Sequence, residues 1–196
     1  MYIIQYLFIL ILFSDLVSNE IFGGQHIKYQ ALQTDKEENN LSILSWNIKM
    51  HPPPYGWFYN SIDKAENIIK TLKESSKYDV ILFQEAFSYK IRNKIYNSLK
   101  DLYPHQIDIK DETNFYKMNS GLWVISSIPI TLIDNINFTE LRHNDWLSSK
   151  GAYLYSVIKS QQEFYIINTH MQADYRTKYS DIRTSQYTEI QQKLIL

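Results

Sequence analysis

Three polar residues stand where apolar runs end, and their types point to one chemistry. Asn47 follows the alternating segment Leu41-Ser-Ile-Leu-Ser-Trp46. Glu85 follows Val80-Ile-Leu-Phe83 and Gln84, and His170 follows Phe164-Tyr-Ile-Ile-Asn-Thr169. A carboxylate set directly behind a buried strand needs a partner, because burying an unpaired charge is costly. A hard divalent cation such as Mg²⁺ supplies one, with Asn47 as a neighbouring oxygen ligand or orienter. Taken one at a time the residues also have ordinary readings: a solvated strand-end carboxylate, a structural histidine, a turn-forming asparagine. The chain of 196 residues contains no cysteine, so a disulfide scaffold and thiolate zinc sites are excluded. Lys and Arg number 20 against 21 Asp and Glu, a formal charge of −1. That balance gives no electrostatic reason for tight duplex binding, and no specific nucleic-acid partner is expected.

The elements that must position these residues follow from periodicity. Leu41–Trp46 alternates like a strand, and Asp79–Phe83 is a continuous apolar run of the buried-strand kind. Ile62, Ala65, Ile69 and Leu72 recur at helical spacing after the possible N-caps Asn60 and Ser61. Ile91, Ile95, Leu99 and Leu102 mark a second helix, stopped by Pro104. Strands are predicted at Gln106–Lys110, Gly121–Ser126, Ile130–Phe138, Ala152–Lys159 and Phe164–Thr169. A last helix from about Ile182 carries Tyr187, Ile190 and Leu194 on one face. The order is a mixed α/β layer fold, and open α/β sheets place their sites at the C-terminal ends of strands.

Residues 1–19 contain an apolar run, Ile3–Phe13, that is shorter than the ~20 residues a membrane-spanning helix requires. It suits the core of a signal peptide, with an uncleaved membrane anchor as the alternative, so a secreted protein is expected. Residues 20–40 form a linker, and residues 41–196 form the folded domain. Asn40-Leu-Ser42 and Asn137-Phe-Thr139 are glycosylation sequons. The chain stops at Lys193-Leu-Ile-Leu196, inside an apolar helical pattern without a capping residue, from which a truncated domain is expected.

In order along the chain, Asn47, Gln84-Glu85, Asn119-Ser-Gly-Leu-Trp-Val-Ile-Ser-Ser-Ile-Pro-Ile130 and Asn168-Thr-His170 resemble the signature of the DNase I-like endonuclease/exonuclease/phosphatase superfamily. Within it the chain looks like a neutral sphingomyelinase of the bacterial sphingomyelinase C type. The segments that carry this closer likeness are Thr169-His-Met-Gln-Ala173-Asp-Tyr175, Lys150-Gly-Ala-Tyr-Leu-Tyr155, the aromatic loop His51–Asn60 and Arg183-Thr-Ser-Gln186-Tyr-Thr-Glu-Ile190.

The resemblance implies a DNase I-like four-layer α/β sandwich and a Mg²⁺-dependent phosphodiesterase that hydrolyses sphingomyelin to ceramide and phosphocholine. It implies Glu85 as principal metal ligand with Asn47 beside it. His170 would hydrogen-bond the scissile phosphate, and Trp57 and Phe87 would meet a choline headgroup or the bilayer surface. The implied partner is a membrane sphingolipid or another phosphodiester; no protein partner is evident. Other readings are a DNase-like nuclease of the same superfamily, or a catalytically inactive secreted fragment or binding module. The family's later Asp-x-Asn pair and Ser-Asp-His have no counterpart after His170. The expectation is therefore an incomplete fold, largely lacking its C-terminal half, with one face of the first sheet uncovered. His26, His51, His105 and His143 are read as surface or loop residues, and Lys90, Arg92 and Lys94 as a solvated helix face.

Overall fold

The computed structural model describes residues 40–51, 61–75, 77–110, 117–173 and 178–196. The leader and nearly all of the linker, and the loop carrying Trp57, lie outside the described residues. The elements run β1 (Ile43–Asn47), α1 (Ser61–Glu74), β2 (Val80–Gln84), α2 (Tyr89–Leu99), β3 (His105–Ile107), β4 (Trp123–Ser126), β5 (Ile130–Asn137), a 3-10 turn (His143–Leu147), β6 (Gly151–Lys159), β7 (Gln162–Thr169) and α3 (Ser180–Ile190), which continues into a π-helical turn (Gln191–Ile195).

The strands form two sheets, one ordered β1-β2-β4-β3 and one ordered β5-β6-β7. In the first, β1 lies parallel to β2 with Asn47 level with Gln84, while β4 runs antiparallel to both β2 and β3. The parallel pair needs a crossover, which α1 supplies. Strand alternation then sorts the side chains. Ile81, Phe83, Trp123 and Ile125 face a core shared with Ala65, Ile68 and Leu72 of α1 and Ile91, Ile95 and Leu99 of α2. Val80, Leu82 and Val124 face the opposite way, onto Tyr153, Tyr155, Val157, Phe164 and Ile166 of the second sheet. The outer side of that sheet presents Ala152 and Ile167 to Ile190 and Leu194 of the last helix.

The layers are therefore helix, sheet, sheet, helix, and the expectation of an uncovered first sheet is corrected. Val80 to Phe83 are at most 1% exposed, because β5, β6 and β7 cover the face that the sequence reading left bare. Sheet-on-sheet burial accounts for it: each large apolar side chain removed from water contributes roughly 1.5–3 kcal/mol. The helix faces are also rotated slightly from expectation. Ile62 is half exposed while Ile68 is buried, and α3 buries Ile182, Gln186 and Glu189 instead of Tyr187. Among the described residues no helix is long and apolar enough to cross a membrane.

Polar bonds lock the two sheets together at both ends. At one end Lys159 Nζ lies 2.7 Å from Asp79 Oδ2, which also accepts from Ser42 N. At the other, Gln84 Nε2 donates to Asn168 Oδ1 at 2.7 Å and Asn168 Nδ2 donates to the Phe83 carbonyl at 3.1 Å. The second lock joins the residue before Glu85 to the strand that delivers His170.

Candidate active site

Glu85 leaves β2 in the left-handed region, at φ 55°. Such a conformation costs a non-glycine residue on the order of 1–3 kcal/mol and persists only where neighbours enforce it. Three backbone bonds do so, and a side-chain bond steadies Gly121 behind them. The Glu85 carbonyl accepts from Met50 N at 2.9 Å, the Gln84 carbonyl accepts from Ile48 N at 3.0 Å, and Ala86 N donates to the Gly121 carbonyl at 3.0 Å; on the far side of Gly121, its N–H donates to Asn119 Oδ1 at 3.0 Å. Gly121, at φ 71°, is required here: a Cβ on it would lie 2.9 Å from Glu85 Cα and 3.0 Å from the Phe87 ring.

From α2, Arg92 grips the same loop. Its guanidinium is buried, with Nη1 donating to the Ala86 and Phe87 carbonyls at 2.7 and 3.0 Å and Nε donating to Asp108 at 2.7 Å. The reading of Arg92 as part of a solvated helix face is corrected: its helical position points inward at the loop behind Glu85.

The Glu85 carboxylate accepts a hydrogen bond from Asn47 Nδ2 at 2.7 Å, while Asn47 Oδ1 accepts from Lys49 N at 3.1 Å. Asn47 thus has the geometry of an orienter, its oxygen engaged by its own turn. Two imidazoles flank the carboxylate: His170 Nε2 is 3.9 Å from Oε1 and His51 Nε2 is 3.7 Å from Oε2. His51, read from the sequence as a loop residue, belongs to this cluster. The tie between Met50 N and the Glu85 carbonyl carries it past the end of β1 to the carboxylate. Phe87 is 6% exposed, its ring centroid 5.9 Å from each imidazole. With so little exposed surface Phe87 forms a wall of the cluster, facing the imidazoles more than open solvent, while Trp57 lies outside the described residues. His143 is exposed at the start of the 3-10 turn, as expected, whereas His105 is not a loop residue but sits half-buried in β3.

His170 is buried, and its Nδ1 lies 2.9 Å from the Ser120 carbonyl. A carbonyl can only accept, so Nδ1 carries the proton and Nε2 faces Glu85 with its lone pair. Burial pushes the His170 pKa well below the ordinary imidazole range, and the Lys150 charge pushes the same way; the Ser120 bond opposes them. The unfolded chain therefore binds a proton that the folded protein refuses. Its contribution to stability is complete above about pH 6.5 and is lost as pH falls toward the depressed folded value, by at most about 1.4 kcal/mol per pH unit. Urea denaturation near pH 7.5 and near pH 5.5 should show this loss, and His170→Gln should remove it. An unchanged slope in the variant would assign the effect to another group.

The sequence reading passed over one buried pair. Lys150 Nζ lies 3.1 Å from Asp145 Oδ2 and donates to the Met171 carbonyl at 2.8 Å, while Ala173 N donates to Asp145 at 2.6 Å. Asp145 comes from the 3-10 turn and Lys150 from the position just before β6, so the pair braces the segment just after His170. Gln172 and Gln186 extend the brace: Gln186 Oε1 accepts from Gln172 N, and Gln172 Oε1 accepts from Arg142 N. A charged residue two positions before a predicted strand was the available signal for Lys150. Nothing local marked Asp145 as its partner.

A mostly buried carboxylate whose flanking groups are imidazoles fits a divalent cation, because no lysine or arginine among the described residues pairs with it. No three His, Asp or Glu side chains among the described residues already converge on one point.

No family model matches the chain. Sphingomyelinase C from Listeria ivanovii is 28% identical over 184 residues, covering 86% of this chain and 55% of that protein. The solved structure of SmcL superposes with a TM-score of 0.67 at 25% identity, over 79% of this chain and 57% of that one. A beta toxin variant from Staphylococcus aureus with bound magnesium ions gives a TM-score of 0.68 at 21% identity, over 78% of this chain and 58% of that one. The chain thus spans a little over half the length of each of these relatives. By fold the chain is DNase I-like, and in sequence it is similar to sphingomyelinase C.

Proposed function

We propose that this protein is a metal-dependent phosphodiesterase that acts on sphingomyelin, releasing phosphocholine and leaving ceramide. The observation that carries the proposal is the Glu85 carboxylate, held in a left-handed turn by its neighbours and flanked by Asn47, His51 and His170. Mg²⁺ is the proposed cation, with Glu85 as its ligand and Asn47 holding the carboxylate in place. Such a cation, when bound, stabilises charge on the phosphodiester oxygens and on the leaving alkoxide. His170 Nε2 takes up a proton before it hydrogen-bonds the scissile phosphate, and an anionic phosphate beside it favours that uptake. Phe87 closes one side of the cluster against water. The apolar run Ile3–Phe13 supports secretion.

The test is phosphocholine release from sphingomyelin vesicles with Mg²⁺ and with chelator, run beside nicking of plasmid DNA. Chelator-sensitive phosphocholine release supports the reading; nicking without phosphocholine release would move the protein to the nuclease branch. Trp57 and Phe87 are expected to separate in the same assay. Trp57→Ala should weaken action on bilayers several-fold more than action on a soluble phosphocholine ester, because Trp suits the membrane interface. Phe87→Ala should impair both substrates alike, since its ring packs between the imidazoles. Equal losses in Trp57→Ala would argue against a membrane role for that residue.

A further inference from the structure

His51 is delivered to the Glu85 carboxylate by backbone geometry of its own. Past the end of β1, Ile48 N donates to the Gln84 carbonyl and Met50 N to the Glu85 carbonyl, with Lys49 between them at φ 48°. The kink is held by Lys49 N donating to Asn47 Oδ1. The segment therefore runs beside the residue it serves, and His51 follows immediately. Its ring lies nearly parallel to Phe87, at 22°, and its Nε2 stands 3.7 Å from Glu85 Oε2. The His51 side chain is 38% exposed, against 14% for Glu85, so this flank of the carboxylate opens to solvent while the His170 flank is closed.

A nitrogen and an oxygen bound to one ion at about 2.0–2.1 Å in tetrahedral geometry are roughly 3.3 Å apart. The observed 3.7 Å between His51 Nε2 and Glu85 Oε2 is a few tenths of an ångström wider. A half-exposed imidazole can close that gap by a small rotation. Oxygen-only surroundings suit Mg²⁺, whereas an imidazole shifts preference toward borderline cations. The geometry points to His51 as a second, nitrogen ligand beside Glu85, on a position open to water that also binds Zn²⁺ or Co²⁺, while the Mg²⁺ of the proposed reaction uses Glu85 without it. The inference deepens the reading of Glu85 as metal ligand and rests on it. His170, on the closed flank and tied to Ser120, remains free for the phosphate side of the reaction.

Co²⁺ alone is the probe, because its visible absorption changes on binding nitrogen. The whole chain is titrated with Co²⁺ by absorption and with Mg²⁺ by calorimetry, as wild type, His51→Leu, His51→Gln and Glu85→Gln. His51→Leu and His51→Gln should each weaken Co²⁺ binding at least about tenfold, while Mg²⁺ affinity stays within about twofold. Glu85→Gln should weaken both. Two His51 variants guard against a packing artefact at Phe87, since Gln keeps the polarity and much of the length but lacks the imidazole nitrogen. Co²⁺ affinity unchanged in both His51 variants overturns the inference. If Glu85→Gln leaves Mg²⁺ affinity unchanged but weakens Co²⁺ binding as the His51 variants do, the proposed function loses its Mg²⁺ ligand while the His51–Glu85 position stands.

Discussion

Glu85→Gln is expected to reduce phosphocholine release by at least on the order of 10²-fold, with the fold intact. The variant keeps the shape of the side chain and removes its charge. One amide oxygen can still accept from Asn47 Nδ2, which stands 2.7 Å away in the native protein. The other position, Oε2, becomes an NH₂ facing His51, and an NH₂ does not bind a cation. Because Glu85 sits beyond the end of β2 and not within the core, the melting temperature should change little. Raising Mg²⁺ should recover only part of the activity, since mass action can offset weaker binding but cannot replace the missing ligand. Calorimetric titration with Mg²⁺ gives a readout independent of turnover. Near-normal activity at ordinary Mg²⁺ would remove Glu85 from the centre of the proposal.

Gly151→Ala should produce the largest loss of stability of any conservative change at the site. A Cβ on Gly151 would stand 2.0 Å from the Ile136 carbonyl oxygen and 3.1 Å from Asn137 Cα, on the adjoining strand β5. Both obstacles are backbone, so no rotamer relieves them, and β5 and β6 must part where Asn137 pairs with Gly151. Overpacking of this kind costs about 3 kcal/mol or more. For a chain of this size that corresponds to a fall in melting temperature of roughly 6–12 °C. The damage reaches the site, because the Gly151 carbonyl accepts from both His170 N and Thr169 Oγ1 at 2.9 Å. A drop of less than about 2 °C would show that β5 yields more readily than its pairing suggests.

Much of the fold could be read along the chain. The strands β1, β2, β6 and β7 and the helices α1 and α2 lie within a few residues of where alternation and helical spacing put them. These signals are local: side-chain period follows backbone period whatever lies on the other side. The cover over β2 was another matter. Val80-Ile-Leu-Phe83 announces that both faces are buried, but does not say by what. The answer, Tyr153, Tyr155, Val157 and Ile166, comes from some 70 to 85 residues further along the chain.

The same division runs through the site. By itself the sequence determined that any metal chemistry uses oxygen and imidazole, that its charge balance gives no electrostatic reason for tight duplex binding, and that Asn47, Glu85 and His170 stand at strand ends. Tertiary structure alone decided that His51 joins Glu85 and that Phe87 is a wall. It also decided that Arg92 grips the loop from α2 and that Asp145 pairs with Lys150. The physical reason is that residue type and period are properties of a segment. A left-handed residue at Glu85, a buried lysine or an imidazole 3.7 Å from a carboxylate exists only when distant segments enforce it together.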